Sequence, residues 1–267
     1  MEDGPLRLRR CREGLMLYYA TDEYVGRALD LYGEAHGLEL AFLGQLVRPG
    51  QTVIDLGANI GAHALAFARM TGVTGRVYAV EPQPGAFRLL CANLALNRVG
   101  HVTTIHAAAG AAAGKIRVPV LDYAKPGNYG GVSAGSDWGV DVALVTLDSL
   151  ELAACHLLKI DVEGMENEAI EGARATIARH RPLLYVENDR EQRSRELIER
   201  IGALGYRLWW HTPPMFNPGN HFGRAENVFP TIVSINLLAI PAERGIEVRN
   251  LPPVAGPNQT WRDLFSR

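Results

Sequence analysis

Short apolar runs alternate with helix-compatible stretches along the middle of the chain. Short runs that end in glycine or polar residues indicate buried strands, whereas apolar residues three and four positions apart indicate helices. The predicted strands are TVIDLG (52–57), RVYAVEP (76–82), HVTTIHAAAG (101–110), HLLKIDVEG (156–164) and PLLYVEND (182–189). The predicted helices cover 62–70, 84–97, 165–179 and 190–204. Strands that alternate with helices predict a mostly parallel sheet with helices on both faces.

The last two strand-like runs break this alternation. Runs 206–211 and 231–240 are separated by a loop rich in proline, asparagine and aromatic residues, and no helix is predicted between them. Strands joined without a crossover helix pair antiparallel. The expected fold is therefore α/β and Rossmann-like, a doubly wound, mostly parallel sheet with a C-terminal antiparallel hairpin. Such sheets bind ligands at the carboxyl ends of their strands.

Breaks in the pattern divide the chain into three segments. Residues 1–50, with a partly helical apolar recurrence, predict an N-terminal cap segment, and residues 51–240 predict the ligand-binding domain. Two stretches inside this domain leave the alternation: a glycine-rich insertion at about 111–140, which contains one hairpin strand, and an aromatic loop at about 209–229. Residues 241–267 are predicted to form a C-terminal tail.

Composition and charge narrow the class of partner. Of the 267 residues, 47% are hydrophobic and 21% are charged, and 27 basic side chains nearly balance 29 acidic ones. Without long like-charged runs the chain offers no electrostatic surface for nucleic acid, and the short basic cluster at 7–12 is interpreted as a solvated arm. Three widely spaced cysteines, with no leader-like or membrane-spanning run, predict a cytoplasmic protein without a membrane partner.

The turn after the first domain strand carries the cofactor signal. It reads DLGANIG from Asp55 to Gly61, and its glycines let the backbone approach a ligand at the start of a helix. A dinucleotide-binding GxGxxG loop would also need glycine where this chain has Asn59 and Ala62. This argues against an NAD(P)-dependent oxidoreductase. Glu81, at the end of the next strand, is placed to bind two ribose hydroxyls of an adenosine ligand.

Several of these elements together resemble the FkbM family of methyltransferases. The similar stretches are VIDLGANIGAH, VYAVEPQPGAFRLLCANLALN, NYGGVS, VALVTLDSL, LLKIDVEGMENEAIEGA and RPLLYVEND, which cover about Gln51 to Asp189. The resemblance implies S-adenosyl-L-methionine as the cofactor, a seven-stranded methyltransferase fold, and O-methylation of a hydroxyl on a sugar, polyketide or similar small molecule. The cofactor-binding residues expected are Asp55, Gly57, Asn59, Gly61, Glu81, Ala108 and Asp161.

The LKIDVEG element supplies the candidate catalytic groups. Lys159 and Asp161 share one face of the predicted strand, and Glu163 lies in the turn just beyond it, over the expected cleft. Methyl transfer to an alcohol needs alignment, exclusion of water and a base. We expect Asp161 to be the first candidate for a polar catalytic role and Glu163 the second. Lys159 either pairs with Asp161 or contacts the substrate directly.

A metal ion is an alternative use of the same strand ends. Glu187 and Asn188 end the strand expected beside Asp161, and two carboxylates with an amide oxygen can hold a hard divalent cation. A similar set serves the catechol-type methyltransferases, in which the metal positions and acidifies the hydroxyl. The same side chains equally suit direct contacts with sugar hydroxyls, so metal use stays open.

The glycine-rich insertion and the aromatic loop are candidates for a lid over the acceptor. The substrate-contacting residues expected are Asn128, Tyr129, Glu187, Asn188, His211 and Asn217. The aromatic loop adds Trp209, Trp210, Phe216, His221 and Phe222, although strand alternation sends the two tryptophans to opposite faces and at least one of them into the core. His63 is interpreted as a capping or packing residue, and Tyr32 and Glu34 as closing over the cofactor or packing in the cap.

Two other functional classes remain as alternatives to a methyltransferase. A nicotinamide-dependent dehydrogenase on the same fold is disfavoured by Asn59 and Ala62. A non-catalytic protein of the same fold would be expected to lose its loop glycines or strand-end acids, which are present here. Fold alone does not determine the acceptor, and the sequence leaves the oligomeric state open, a homo-oligomer included.

Overall fold

A computed structural model describes residues 4–133 and 135–265. Residues 1–3 of the predicted cap, residue 134 of the predicted insertion and residues 266–267 of the predicted tail lie outside the described residues. The strands are β1 (Leu6–Cys11), β2 (Gly14–Tyr19), β3 (Thr52–Leu56), β4 (Arg76–Val80), β5 (Val102–Ile105), β6 (Ala107–Ala109), β7 (Gly114–Val118), β8 (Val140–Val145), β9 (Leu157–Ile160), β10 (Leu183–Glu187), β11 (Tyr206–His211) and β12 (Asn236–Pro241). The helices are α1 (Val25–Tyr32), α2 (Gly37–Leu46), α3 (Ala62–Thr71), α4 (Pro84–Leu96), α5 (Glu166–Glu171), α6 (Arg174–His180), α7 (Glu191–Ala203) and α8 (Arg262–Phe265).

The main sheet has seven strands in the order β11-β12-β10-β9-β3-β4-β5. The five strands from β10 to β5 run parallel, and β12 is antiparallel to both β10 and β11. This confirms the predicted doubly wound, seven-stranded α/β fold with an antiparallel C-terminal pair. The last strand of the chain inserts between β10 and β11, which leaves β11 at the edge of the sheet.

The N-terminal segment contains a hairpin that the sequence pattern did not indicate. Strands β1 and β2 pair antiparallel over their whole length, and α1 and α2 follow them. Asn93 and Asn97 of α4 fasten the hairpin to the domain, because their side-chain amides exchange hydrogen bonds with the backbone of Leu15 and Leu17. The cap is thus held against the main domain by its backbone as well as by apolar packing.

Two predicted elements are each divided in the structure. The run 101–110 splits into β5, in the main sheet, and β6, which joins β8 and β7 in a three-stranded sheet whose strand β7 comes from the insertion. The predicted helix 165–179 splits at Gly172 into α5 and α6. A Cβ atom at Gly172 would lie 2.0 Å from the carbonyl oxygen of Gly110. The glycine therefore allows a backbone approach that a larger residue would block.

The two tryptophans of β11 belong to the core. Trp209 is 3% exposed and Trp210 is fully buried, and they pack into separate apolar clusters on the two faces of the sheet. This agrees with the expectation that at least one tryptophan lies in the core, and both are buried because the C-terminal segment packs on each face of β11. Across the residues that the structure describes, no helix combines the length and apolar character needed to cross a membrane.

Candidate active site

A cavity of about 450 Å³ opens at the carboxyl ends of β3, β4, β9 and β10. Its walls also include the start of α2 and α3, the insertion at 128–132 and the segment 232–236 that leads into β12. The volume lies in the range of ordinary small-molecule sites. The position is the one that the doubly wound fold predicts for a ligand.

The loop after β3 passes directly beneath the end of β9. Gly57 has φ +82°, and a Cβ atom there would lie 1.6 Å from the carbonyl oxygen of Asp161. The amide of Asp161 donates a 3.0 Å hydrogen bond to the Leu56 carbonyl, so the two backbones are in register at this point. Only glycine fits at position 57, because both the left-handed backbone and the close approach exclude a side chain.

Glu81 ends β4 in the cavity wall and is 5% exposed. Its carboxylate accepts hydrogen bonds from the backbone amides of Asn59 (2.8 Å) and Gln83 (2.7 Å). Burial raises the pKa of Glu81 to about 7, against the lowering effect of these two amides. A carboxylate has about four lone-pair sites. The two amides occupy two of these sites. The other two sites can accept hydrogen bonds from two adjacent hydroxyl groups of a ligand in the cavity.

A buried lysine joins the two strand-end aspartates. Lys159 Nζ lies 3.1 Å from Asp55 Oδ1 and 3.1 Å from Asp161 Oδ2. Burial lowers the pKa of Lys159, but Asp161 and Asp55 outweigh it and the net shift is upward, so the amine stays charged. Asp161 lines the cavity, whereas Asp55 and Lys159 lie behind the wall. Of the two roles predicted for Lys159, the geometry supports pairing with Asp161 rather than direct contact with an acceptor.

Three carboxylates meet where β9 and β10 end. Asp161, Glu163 and Glu187 line the cavity, each with an oxygen within 4.8 Å of the other two. Burial, reinforced by Asp161, raises the pKa of Glu163 to about 8 although Arg190 donates to it at 2.7 Å. Burial and the neighbouring acids also raise the pKa of Glu187 well above its usual range. Like charges this close oppose full ionisation, so the cluster holds protons at neutral pH.

The predicted metal set is not assembled as expected. Asn188 is buried behind the cavity wall, and its side-chain amide donates to Ser194 Oγ at 2.9 Å. Strand alternation explains this, because adjacent residues at a strand end point to opposite sides. Glu163, in the turn after β9, takes the place that Asn188 was expected to fill beside Asp161 and Glu187.

A second polar cluster lies on the cap side of the cavity. His36, Glu39 and His63 all line the wall, and His63 Nε2 is 2.9 Å from Glu39 Oε1. The pKa of His36 is lowered to about 4 by burial and by the charge of His63. Burial would raise the pKa of Glu39, but the hydrogen bond and charge of His63 lower it to about 2. Sequence reasoning missed His36 and Glu39, since neither belongs to a motif, and interpreted His63 as packing or capping.

The insertion covers the loop after β3, from Gly57 to Gly61. Asn128 and Tyr129, two of the predicted substrate-contacting residues, line the cavity. The insertion also lies close to the loop after β3, because a Cβ atom at Gly130 would lie 2.9 Å from Asn59 Nδ2. Tyr129 donates to Thr21 Oγ1 at 2.9 Å and is thereby attached to the cap. The insertion and the cap together close this side of the site.

Other predicted contact residues have structural partners instead. His211 Nδ1 is 2.7 Å from the Tyr185 hydroxyl, and Asn217 donates to Glu34 Oε1 at 2.7 Å; neither side chain is in the cavity wall. Glu34 also accepts from the amide of His221, and the Tyr32 hydroxyl lies 2.8 Å from the Val228 amide. These bonds fasten the aromatic loop to the cap, so they support the packing interpretation of Tyr32 and Glu34.

Among the predicted cofactor residues, five line the cavity and two do not. Gly57, Asn59, Glu81, Ala108 and Asp161 form part of the wall. Gly61 starts α3 with φ +91°, close to Leu90, and Asp55 lies behind the wall as described. Their positions are those of residues that shape the loop rather than contact a ligand.

Comparisons with known proteins agree with this architecture. The family model described as the methyltransferase FkbM domain matches residues 55–208, more than half of the chain. The chain therefore belongs to the FkbM methyltransferase family, whose methyl donor is S-adenosylmethionine. No curated protein sequence matches the chain.

Two solved structures are similar to this chain over part of their length. Trm5b from Pyrococcus abyssi superposes with a TM-score of 0.50 at 13% identity, over 90% of this chain and 56% of its own. Methyltransferase FkbM from Methylobacillus flagellatus KT has a TM-score of 0.48 at 17% identity, over 81% of this chain and 55% of its own. The chain thus spans a little over half the length of each of these proteins.

Proposed function

We propose that this member of the FkbM methyltransferase family uses S-adenosylmethionine to methylate a hydroxyl group of a small molecule or glycan. The observation that carries the proposal is the trio Asp161, Glu163 and Glu187, which faces the cavity beside the cofactor loop. Carboxylates suit an acceptor that donates hydrogen bonds and must lose a proton. A hydroxyl group meets both conditions.

The residues of the cavity fit the proposed cofactor. Glu81 keeps two lone-pair sites that match the paired hydroxyls of a ribose, and Asn59 and Gly57 bring the loop backbone to the same end of the cavity. Ala107 to Ala109 form a wall of small side chains that leaves room for a flat base. When bound, the cofactor supplies an electrophilic methyl group.

The protein's own groups then orient the acceptor and take its proton. Asp161 lines the cavity with Lys159 at 3.1 Å behind it, so it can accept a hydrogen bond from the acceptor hydroxyl. Glu187 lies beside it, and its Oε2 atom has no hydrogen-bond partner among the described residues. The pKa of Glu187 is raised, so only its ionised fraction can take the proton, and that form is a stronger base than an ordinary carboxylate. We assign the proton to Glu187 Oε2.

A metal-assisted reaction is the second candidate, and the same trio favours it. Three oxygen donors within 4.8 Å of one another can hold a hard divalent cation such as Mg²⁺. Arg190 already pairs with Glu163 at 2.7 Å, which supplies positive charge without a metal. The direct carboxylate mechanism therefore has the better support.

The experiment combines an acceptor screen with matched variants. The protein is incubated with methyl-labelled S-adenosylmethionine and a panel of sugars and polyketide-like alcohols, each paired with its deoxy or amino analogue. We expect label in a methyl ether, and a loss of turnover of at least about a hundredfold in Glu187→Gln with little change in S-adenosylhomocysteine binding. Label on nitrogen or carbon only, or full turnover in Glu187→Gln, would contradict the proposal. Reversible loss of turnover with a chelator would instead select the metal-assisted reaction.

A further inference from the structure

His36, Glu39 and His63 form a set of nitrogen and oxygen donors on the cap side of the cavity wall. Each residue has a donor atom within 4.8 Å of the donor atoms of the other two. His63 Nε2 is 2.9 Å from Glu39 Oε1, and His36 Nδ1 is 4.0 Å from Glu39 Oε2. The two imidazole rings have centroids 4.9 Å apart. The three side chains therefore converge on one point at the edge of the cavity.

The backbone holds these donors in place. His36 precedes α2 with φ 59° and ψ 30°, in the left-handed region that side chains rarely adopt. The next residue is Gly37, where a Cβ atom would lie 2.0 Å from Glu34 Oε1, so only glycine fits at this point of the turn. Strained backbone of this kind is found at ligand sites, where the surrounding structure maintains it. His63 stands in the first turn of α3, directly after the cofactor loop.

The surrounding charge favours a cation. Glu39 is buried, and its Oε2 atom also accepts a 3.4 Å hydrogen bond from Asn236. The charged groups outside the cluster that act on His36 and Glu39 are Asp161 and Lys159. Lys159 is itself shared between Asp55 and Asp161, which lie 3.1 Å from its Nζ atom. A buried carboxylate next to two imidazoles is suited to a divalent ion.

We propose that His36, Glu39 and His63 bind a divalent transition-metal ion of the Zn²⁺ or Co²⁺ type. Two imidazoles and one carboxylate are a donor set that such ions prefer, whereas Mg²⁺ prefers oxygen donors. Three protein ligands leave coordination positions for water or for an oxygen of a bound molecule in the cavity. Metal binding displaces the His63–Glu39 hydrogen bond, and any proton released goes to solvent. This site is distinct from the carboxylate trio and does not depend on the proposed methyl transfer.

The test is a titration of metal-free protein with Zn²⁺, and with Co²⁺ followed by its visible absorption. We expect one ion per chain, and binding at least tenfold weaker in both His36→Gln and His63→Gln. His106→Gln is the matched control, since His106 lies outside the cavity wall and bonds to the Pro82 carbonyl. This variant and Glu163→Gln should bind Zn²⁺ like the wild type.

Folding of the variants is checked by circular dichroism and thermal unfolding. If His63→Gln is unstable, His36→Gln decides the matter, because the His36 side chain is 24% exposed and lies as far as 4.0 Å from its ion-pair partner Glu39. Unchanged Zn²⁺ affinity in His36→Gln would overturn the proposal. So would a wild type that binds no Zn²⁺ at 100-micromolar concentration, roughly the upper limit for a specific site. In that case the cluster is a hydrogen-bonded histidine–glutamate pair without metal.

Discussion

Replacing Lys159 by methionine tests whether its buried ion pairs with Asp55 and Asp161 stabilise the fold. Lys159 is 2% exposed in the middle of the main sheet, and it lies 3.1 Å from both Asp55 and Asp161. Asp55 is fully buried, and neither of its carboxylate oxygens accepts a hydrogen bond from the described residues. The lysine charge is therefore the main compensation for the Asp55 charge.

The expected magnitude follows from leaving that charge unpaired. Removing one partner of a buried ion pair costs about 3–5 kcal/mol in the free energy of unfolding. For a chain of this size each kcal/mol lowers Tm by about 2–4 °C, so Lys159→Met should lose roughly 6–20 °C.

The assay is thermal and urea unfolding at neutral pH, with two companions to Lys159→Met. Lys115→Met removes the charge of an exposed lysine on β7 and should change stability by less than about 0.5 kcal/mol. The double variant Asp55→Asn, Lys159→Met removes the buried charge itself and should recover at least half of the loss. A single variant within about 1 kcal/mol of the wild type, or a double variant that recovers nothing, would refute the reasoning.

Three further predictions concern the loop after β3, the buried acid Glu81 and the core. Gly57→Ala should destabilise by about 2–4 kcal/mol in urea unfolding, since its Cβ overlaps the Asp161 carbonyl, whereas Gly245→Ala, with φ +60° in open space, should cost only about 1 kcal/mol; equal costs would contradict this. Burial raises the pKa of Glu81 from 4.5 to about 7, so the folded wild type should lose about 3 kcal/mol of stability as pH rises through that window. Glu81→Gln should lack that loss of stability. Parallel profiles of unfolding free energy against pH in the two proteins would show that Glu81 is not its source. Trp210→Ala should cost about 3–5 kcal/mol in urea unfolding while S-adenosylhomocysteine affinity stays unchanged, because Trp210 is fully buried away from the cavity; a selective loss of affinity would restore the lid interpretation.

The main sheet could be predicted because its signals are local. Apolar runs such as 52–57 and 182–189 each end in a turn, and their order along the chain determines the parallel topology. The hairpin β1–β2 could not be predicted from the sequence, since the run 7–12 is dominated by arginine. Its strand character comes from the pairing of β1 with β2 and from the contacts of the hairpin with α4. The break after β5 also depends on a long-range partner, the strand β8 across the insertion.

The residues of the candidate site also fall into two groups, those marked by local sequence motifs and those placed by long-range packing. Gly57, Glu81 and Asp161 lie at strand ends that motifs mark, and the structure brings them to one cavity. Strand alternation placed at least one tryptophan in the core, but the sequence does not show that the C-terminal segment covers β11 and buries both. His36 comes from the cap, and only the packing of α2 onto α3 places it in the wall. Short-range patterns therefore predicted the residues of the site that lie at strand ends, but not those that come from the cap.

The central claim is that the cavity binds an S-adenosyl ligand through Glu81. Isothermal titration with S-adenosylhomocysteine at pH 8 tests it most directly, in the wild type, in Glu81→Gln and in Glu226→Gln, an exposed acid outside the cavity. The account predicts one site per chain, affinity at least tenfold weaker in Glu81→Gln and unchanged in Glu226→Gln, and no binding of NAD. Equal affinity in all three proteins, or NAD binding in preference to S-adenosylhomocysteine, would contradict it.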